Sequence, residues 1–233
     1  MCTFAEESDL AAVQECTFCS LGGSCERAFT TTVLHSTDRN SYPRSVATGN
    51  LNNDTQLDIV VANTGTNTVG IFLGYENGTF QPQTTYSTGF LSQPYSVAVG
   101  DFDNDNQLDI VVANRGTNSI GILGGYGNGT FKKVLVYSLG SSRPVSVTVA
   151  DLNNDKCLDI IVTNYEISNI GILFGYGDTT FSAQNKYSTG YDSLPTSVVV
   201  ADLNKDSQLD LIVSNSGTSN VAVFLGYGNG SFS

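Results

Sequence analysis

The chain has 233 residues, with 22 acidic against 10 basic side chains and a net charge of −12. That balance leaves no basic footprint for nucleic acid, and no apolar run reaches the roughly 18 residues that a membrane-spanning helix needs. With 24 glycines, 5 prolines and only 14% charged residues, the composition suits an all-β protein rich in tight turns and excludes a helical bundle or a disordered tail.

Residues 1–28 form a Cys-rich N-terminal segment to which no fold is assigned. Cys2, Cys16, Cys19 and Cys25 crowd into it, while Cys157 stands alone in the body of the chain. A clustered even number of cysteines points to a disulfide-stapled segment from an oxidising compartment. The rival is a four-thiolate zinc site, for which only the Cys16–Cys19 pair has suitable spacing. The opening residues, Met-Cys-Thr-Phe-Ala-Glu-Glu, lack the basic start and apolar centre of a signal peptide. A secreted protein would then be represented here by a fragment or domain.

From residue 29 onward the chain repeats. NLNNDTQLD (50–58), DFDNDNQLD (101–109), DLNNDKCLD (151–159) and DLNKDSQLD (202–210) start 51, 50 and 51 residues apart. Phe80, Phe131, Phe181 and Phe232 keep the same period. Segments 57–80 and 108–131 share 18 of 24 residues, which marks duplication.

Each unit reads as four short strands. In the second, Ser96-Val97-Ala98-Val99 alternates, and after the acidic stretch Leu108 to Ala113 forms a nearly continuous apolar run suited to a strand buried on both faces. A turn at 114–119 leads to the third strand, Ile120 to Leu123. Gly127-Asn128-Gly129-Thr130 then supplies a tight hairpin, and the fourth strand is expected from Phe131 to about Ser138. Repeats of this length and pattern predict a β-propeller of four four-stranded antiparallel blades over residues 29–233. Phe29 to Thr37 matches the fourth-strand stretch Phe80 to Thr88, the strand that the last unit lacks. The array is therefore expected either to close as a four-blade ring, one end completing the blade begun by the other, or to be part of a larger propeller.

The acidic loops have the chemistry of metal sites. Asp101, Asp103, Asp105 and Asp109 occupy positions 1, 3, 5 and 9 of the second loop, and the Gln107 carbonyl at position 7 completes an oxygen set. Hard oxygen donors without His or Cys favour Ca²⁺. No cation within that loop relieves the mutual repulsion of the carboxylates. The same positions hold Asn50, Asn52, Asp54, Gln56 and Asp58 in the first loop. They hold Asp151, Asn153, Asp155, Cys157 and Asp159 in the third, and Asp202, Asn204, Asp206, Gln208 and Asp210 in the fourth. Ligand carboxylates number 2, 4, 3 and 3 from first to fourth, which predicts tightest binding in the second loop and weakest in the first. Up to four Ca²⁺ ions would bring the net charge from −12 to −4. Asp and Asn also favour turns for their own sake, which accounts for one such loop more readily than for four in phase. Cys157, standing where other units have Gln, reads as drift at a position that contributes only its carbonyl.

These loops resemble the FG-GAP repeats of integrin α chains and the related VCBS-type repeats, over about residues 29–233. The resemblance implies calcium loops along one rim and a role in extracellular adhesion, ligand binding or lectin-like recognition. The glycine that the family commonly carries at position 6 is replaced by Thr55, Asn106, Lys156 and Ser207, which should strain the turn except at Asn106.

The functional expectation is a calcium-binding propeller module, extracellular or at the cell surface, with a protein or glycan ligand and no catalysis. The single histidine, His35, falls in an expected strand, and neither a Gly-x-Ser-x-Gly elbow nor an HExxH pair occurs. The alternatives are a propeller-hosted lyase or hydrolase with its site in the central channel, and a structural spacer in a larger surface protein. Tyr75, Tyr126, Tyr176 and Tyr227 follow the third strand of every unit and read as packing residues between blades, or else as an aromatic rim. Asn53, Asn77, Asn128 and Asn229 begin glycosylation sequons that would be available on a secreted glycoprotein.

Overall fold

The computed structural model describes residues 17–18, 26–27 and 33–233. The chain divides into two compact units, Met1–Ser36 and Thr37–Ser233. In the first, β1 (Thr17–Phe18) and β2 (Glu26–Arg27) form an antiparallel pair. The four clustered cysteines, with the disulfide and zinc readings attached to them, lie outside the described residues.

The second unit is all-β. Its first blade comprises β3 (Pro43–Gly49), β4 (Asp58–Asn63), β5 (Thr68–Phe72) and β6 (Thr84–Ser87) in up-and-down order. The second comprises β7 (Pro94–Gly100), β8 (Asp109–Asn114), β9 (Ser119–Leu123) and β10 (Leu135–Ser138). The third has β11 (Pro144–Ala150), β12 (Asp159–Asn164), β13 (Asn169–Leu173) and β14 (Asn185–Ser188), with a 3₁₀ turn at Tyr165–Ile167. The fourth has three strands, β15 (Pro195–Ala201), β16 (Asp210–Asn215) and β17 (Asn220–Phe224). Fourth strands are shorter than expected, because Phe80, Phe131, Phe181 and Phe232 make isolated bridges to Gly74, Gly125, Gly175 and Gly226 before regular pairing resumes.

The apolar runs are buried where blades stack. Every residue of β8, β9 and β12 is buried, because blades 2 and 3 are covered on both faces. Three apolar clusters fill the spaces between successive blades, around Val60, Ile110 and Leu123, around Val111, Ile160 and Leu173, and around Ile161, Ile172 and Leu211. Edge-to-face aromatic pairs join the blades. Tyr86, Tyr137 and Tyr187 of the fourth strands meet Phe131, Phe181 and Phe232 of the next blade at 5.4, 5.7 and 5.4 Å.

Among the described residues no four-blade ring is closed. First strands pack in the succession β3, β7, β11, β15, and β15 makes no comparable packing against β3. Residues 33–37 of the stretch expected to complete the last blade carry no strand, and neither does His35; residues 29–32 lie outside the described set. The array is an open arc whose last blade leaves Val199, Val221 and Val223 exposed. The inter-blade role read for Tyr75, Tyr126, Tyr176 and Tyr227 is also corrected. They are 49–63% exposed, and the packing role belongs to the Tyr86 set.

Candidate metal centre

Each acidic loop joins the first strand of a blade to the second, so its geometry follows from where those strands end. Position 2 anchors it: Leu51, Phe102 and Leu152 are buried between blades. Position 9 opens the second strand, and its aspartate is buried in every blade. One oxygen of Asp109 accepts the Phe102 N–H at 2.9 Å and the other accepts the Gly125 N–H at 2.7 Å. Asp58 is held likewise by Leu51 and Gly74, Asp159 by Leu152 and Gly175, and Asp210 by Leu203 and Gly226. The position-9 carboxylate thus clamps the loop onto the end of the third strand. Glycine is required at the far partner, since a Cβ on Gly125 would lie 2.3 Å from the Leu108 carbonyl oxygen.

Position 1 organises the turn. Asp101 Oδ1 accepts the Asp105 N–H at 3.2 Å and its Oδ2 accepts the Asn106 N–H at 2.8 Å. Asp151 does the same for Asp155 and Lys156, and Asp202 for Asp206 and Ser207. Asn50, with one oxygen, accepts the Asp54 N–H. Position-5 aspartates receive the position-7 N–H, as when Asp105 accepts from Gln107 at 2.8 Å. Position 6 is left-handed in all four loops, with φ of 75° at Thr55, 64° at Asn106, 69° at Lys156 and 67° at Ser207.

Position 3 separates the second loop from the others. Asn52, Asn153 and Asn204 donate their side-chain amides to Asp54, Asp155 and Asp206 at 2.7–2.8 Å, so those loops satisfy themselves. Asp103 has no proton to donate. Its Oδ1 is shielded from solvent without a hydrogen-bond partner, and its Oδ2 is 3.5 Å from Lys132, a cation from outside the loop. One ligand atom from each of Asp101, Asp103 and Asp109 lies within 4.8 Å of the others. Asp105 stands outside this group. Burial pushes the Asp109 carboxyl up to about 6, against the lowering effect of its two backbone N–H donors, and the charges of Asp103 and Asp105 add to the rise. Burial also raises Asp159 to about 6. An orphaned carboxylate oxygen beside two further carboxylates is the donor chemistry that suits a hard divalent cation.

Position 7 acts through its side chain, not only its carbonyl. Asn53 donates to Gln107 Oε1 at 2.5 Å and Asn154 to Gln208 Oε1 at 2.9 Å, each linking one loop to the next. Between them, Asn104 reaches the weaker acceptor Cys157 Sγ at 3.9 Å. Position 4 of the first three loops is therefore a loop-to-loop contact.

Stacked four-stranded sheets with a phased acidic loop between the first two strands of each define a β-propeller repeat protein. The model of the FG-GAP-like repeat matches residues 50–112, 101–162 and 154–213, and the chain belongs to that family. No curated protein matches it. Among solved structures, a streptogramin B lyase is similar over 85% of this chain and 55% of its own, at 19% identity and a TM-score of 0.60. Virginiamycin B lyase from Staphylococcus aureus gives 82%, 58%, 14% and 0.55 for the same quantities. A lectin from Agrocybe aegerita that recognises non-reducing terminal N-acetylglucosamine gives 80%, 49%, 20% and 0.55. At these identities the likeness is one of fold, and the chain spans about half the length of the structures it resembles.

Proposed function

We propose that this chain is a calcium-stabilised propeller module that binds a ligand and does no chemistry of its own. The observation that carries the calcium reading is the second loop, where Asp103 Oδ1 is buried and unpartnered within reach of Asp101 and Asp109. Asp101, Asp103 and Asp109 would hold the ion there. The other loops, with Asn at position 3, would bind more weakly after turning the amide oxygen inward. Calcium supplies charge neutralisation that ties the two ends of the loop together. Weak oxygen sites of this kind fill at extracellular calcium levels, which favours a location outside the cell or at its surface. Exposed sequon asparagines at the hairpin turns, Asn77, Asn128 and Asn229, agree with that location.

A non-catalytic role is favoured because the position-9 carboxylates are committed to backbone N–H groups, as at Asp109 and Asp159. The lyases among the similar structures share the fold at 14–19% identity. The test is calcium titration by calorimetry, with thermal unfolding in calcium and in chelator. Saturable binding that is lost first in Asp103→Asn supports the reading; an unchanged melting temperature and no bound metal by mass spectrometry would sink it.

A further inference from the structure

A cavity of about 330 Å³ opens at the strand ends away from the acidic loops, lined by Tyr95, Arg115, Val145, Tyr165, Thr196 and Ser216. Tyr95, Val145 and Thr196 are the second residues of β7, β11 and β15, while Arg115, Tyr165 and Ser216 directly follow β8, β12 and β16. Blades 2, 3 and 4 therefore each contribute the same two repeat positions.

Those two positions differ in every blade. Their neighbours recur from blade to blade: Pro94, Pro144 and Pro195; Val97, Val147 and Val198; Asn114, Asn164 and Asn215. Exposure alone does not explain the divergence, because the exposed tyrosines Tyr75, Tyr126, Tyr176 and Tyr227 recur too. The cavity lining is therefore not set by the repeat consensus.

The lining has a definite chemistry. Arg115 is its one charged group, in a chain of net charge −12. The Arg115 guanidinium carbon stands 5.7 Å from the Tyr95 ring centroid, and Arg44 stands 5.2 Å from the same ring. This stacking orients Arg115 without consuming its N–H donors. Among the described residues neither arginine makes an ion pair, and the nearby acid Glu166 is paired with Arg143. Ser216 donates its hydroxyl proton to the Leu194 carbonyl at 2.9 Å and Thr196 shares a hydrogen bond with Ser214 at 2.9 Å, so both offer the cavity acceptor oxygens, while the two tyrosines add phenol groups and apolar ring faces.

We propose that this cavity binds an acidic sugar, with the carboxylate on Arg115, sugar hydroxyls donating to the Thr196 and Ser216 oxygens, and the ring face against Tyr95 or Tyr165. The inference rests on the reading of the chain as a binding module and names its ligand class. Guanidinium pairing with a carboxylate is directional and charge-assisted, so it should dominate the choice between acidic and neutral sugars.

Calorimetry and saturation-transfer NMR with glucuronate, glucose and acetate test it, each in calcium and in chelator. Glucuronate should bind saturably and at least about tenfold more tightly than glucose or acetate, and Arg115→Ala should remove most of that preference. Tyr126→Ala, on the opposite strand ends, should leave it unchanged, and circular dichroism of each variant checks folding. Equal binding of glucose and glucuronate, glucuronate binding indifferent to Arg115→Ala, or no saturable binding would overturn the proposal. Glucuronate binding abolished by Asp103→Asn but not by Arg115→Ala would place the carboxylate on a loop-bound ion and overturn it as well. Calcium titration is read separately, so failure of the cavity and failure of the calcium loops are distinguishable.

Discussion

Asn154 in the third acidic loop donates its side-chain amide to Gln208 in the fourth, 2.9 Å away and one full repeat further along the chain. Asn53 and Gln107 make the same link between the first and second loops. The rim is therefore held laterally by a chain of amide contacts as well as by whatever each loop binds. Cys157 is its weak member, because a thiol accepts the Asn104 donor poorly at 3.9 Å. Cys157→Gln should restore the repeat and raise stability by about 0.5 kcal/mol, the low end for a neutral hydrogen bond at an exposed site. That corresponds to an increase of about 1–2 °C in melting temperature for a domain of this size.

Thr55 occupies a left-handed position, with φ of 75°, that a β-branched residue adopts only under strain. Thr55→Gly should stabilise the protein by about 1 kcal/mol, since relief of the strain outweighs the greater freedom of glycine in the unfolded chain. Asn106→Gly, at a φ of 64° that asparagine tolerates, should change little. Urea unfolding of both variants in chelator separates the backbone effect from any change in metal binding.

The blades and the loops were legible because both leave periodic traces. Burial on two faces turns the second strand into an apolar run such as Ile110 to Ala113, and Asp109 must recur wherever the third strand ends on Gly125. Contacts between repeats leave no such trace. Nothing local to Gln107 announces that its side chain meets Asn53, or that Tyr86 packs on Phe131 while Tyr75 faces solvent. Closure was equally illegible. A match between Phe29–Thr37 and a fourth strand records common descent, but whether the segment pairs with β17 depends on the curvature of the whole arc.

Two aspartates of the second loop should respond oppositely to neutralisation. Asp103→Asn reproduces the arrangement of Asn52 with Asp54, so in chelator it should be neutral or mildly stabilising. The 3.5 Å contact with the half-exposed Lys132 that it removes contributes little. In calcium the same variant should lose most of the stabilisation that the ion provides. Asp109→Asn instead places an amide NH₂ against one of two backbone donors, Phe102 or Gly125, in a buried site. It should cost about 2 kcal/mol in chelator and more in calcium, where the ion also loses a charged ligand. Paired thermal melts of the two variants, with and without chelator, give the four values needed.

The pH dependence of the calcium-free protein should run opposite to that of most carboxylate-rich folds. Asp109 and Asp159 are raised by burial from 3.8 to about 6. Between those values the folded state binds more protons than the unfolded one, so the contribution is full below pH 4 and is lost as pH rises through 6. In chelator, stability should fall between pH 4 and 6 by on the order of 2–3 kcal/mol for each of these groups, as an upper bound. Calcium reverses the sign, because the ion competes with the proton for the same carboxylates and binds their ionised form. Melting temperature should therefore rise with pH over this range in calcium and fall over it in chelator. Parallel curves in the two buffers would mean that no metal reaches the buried aspartates.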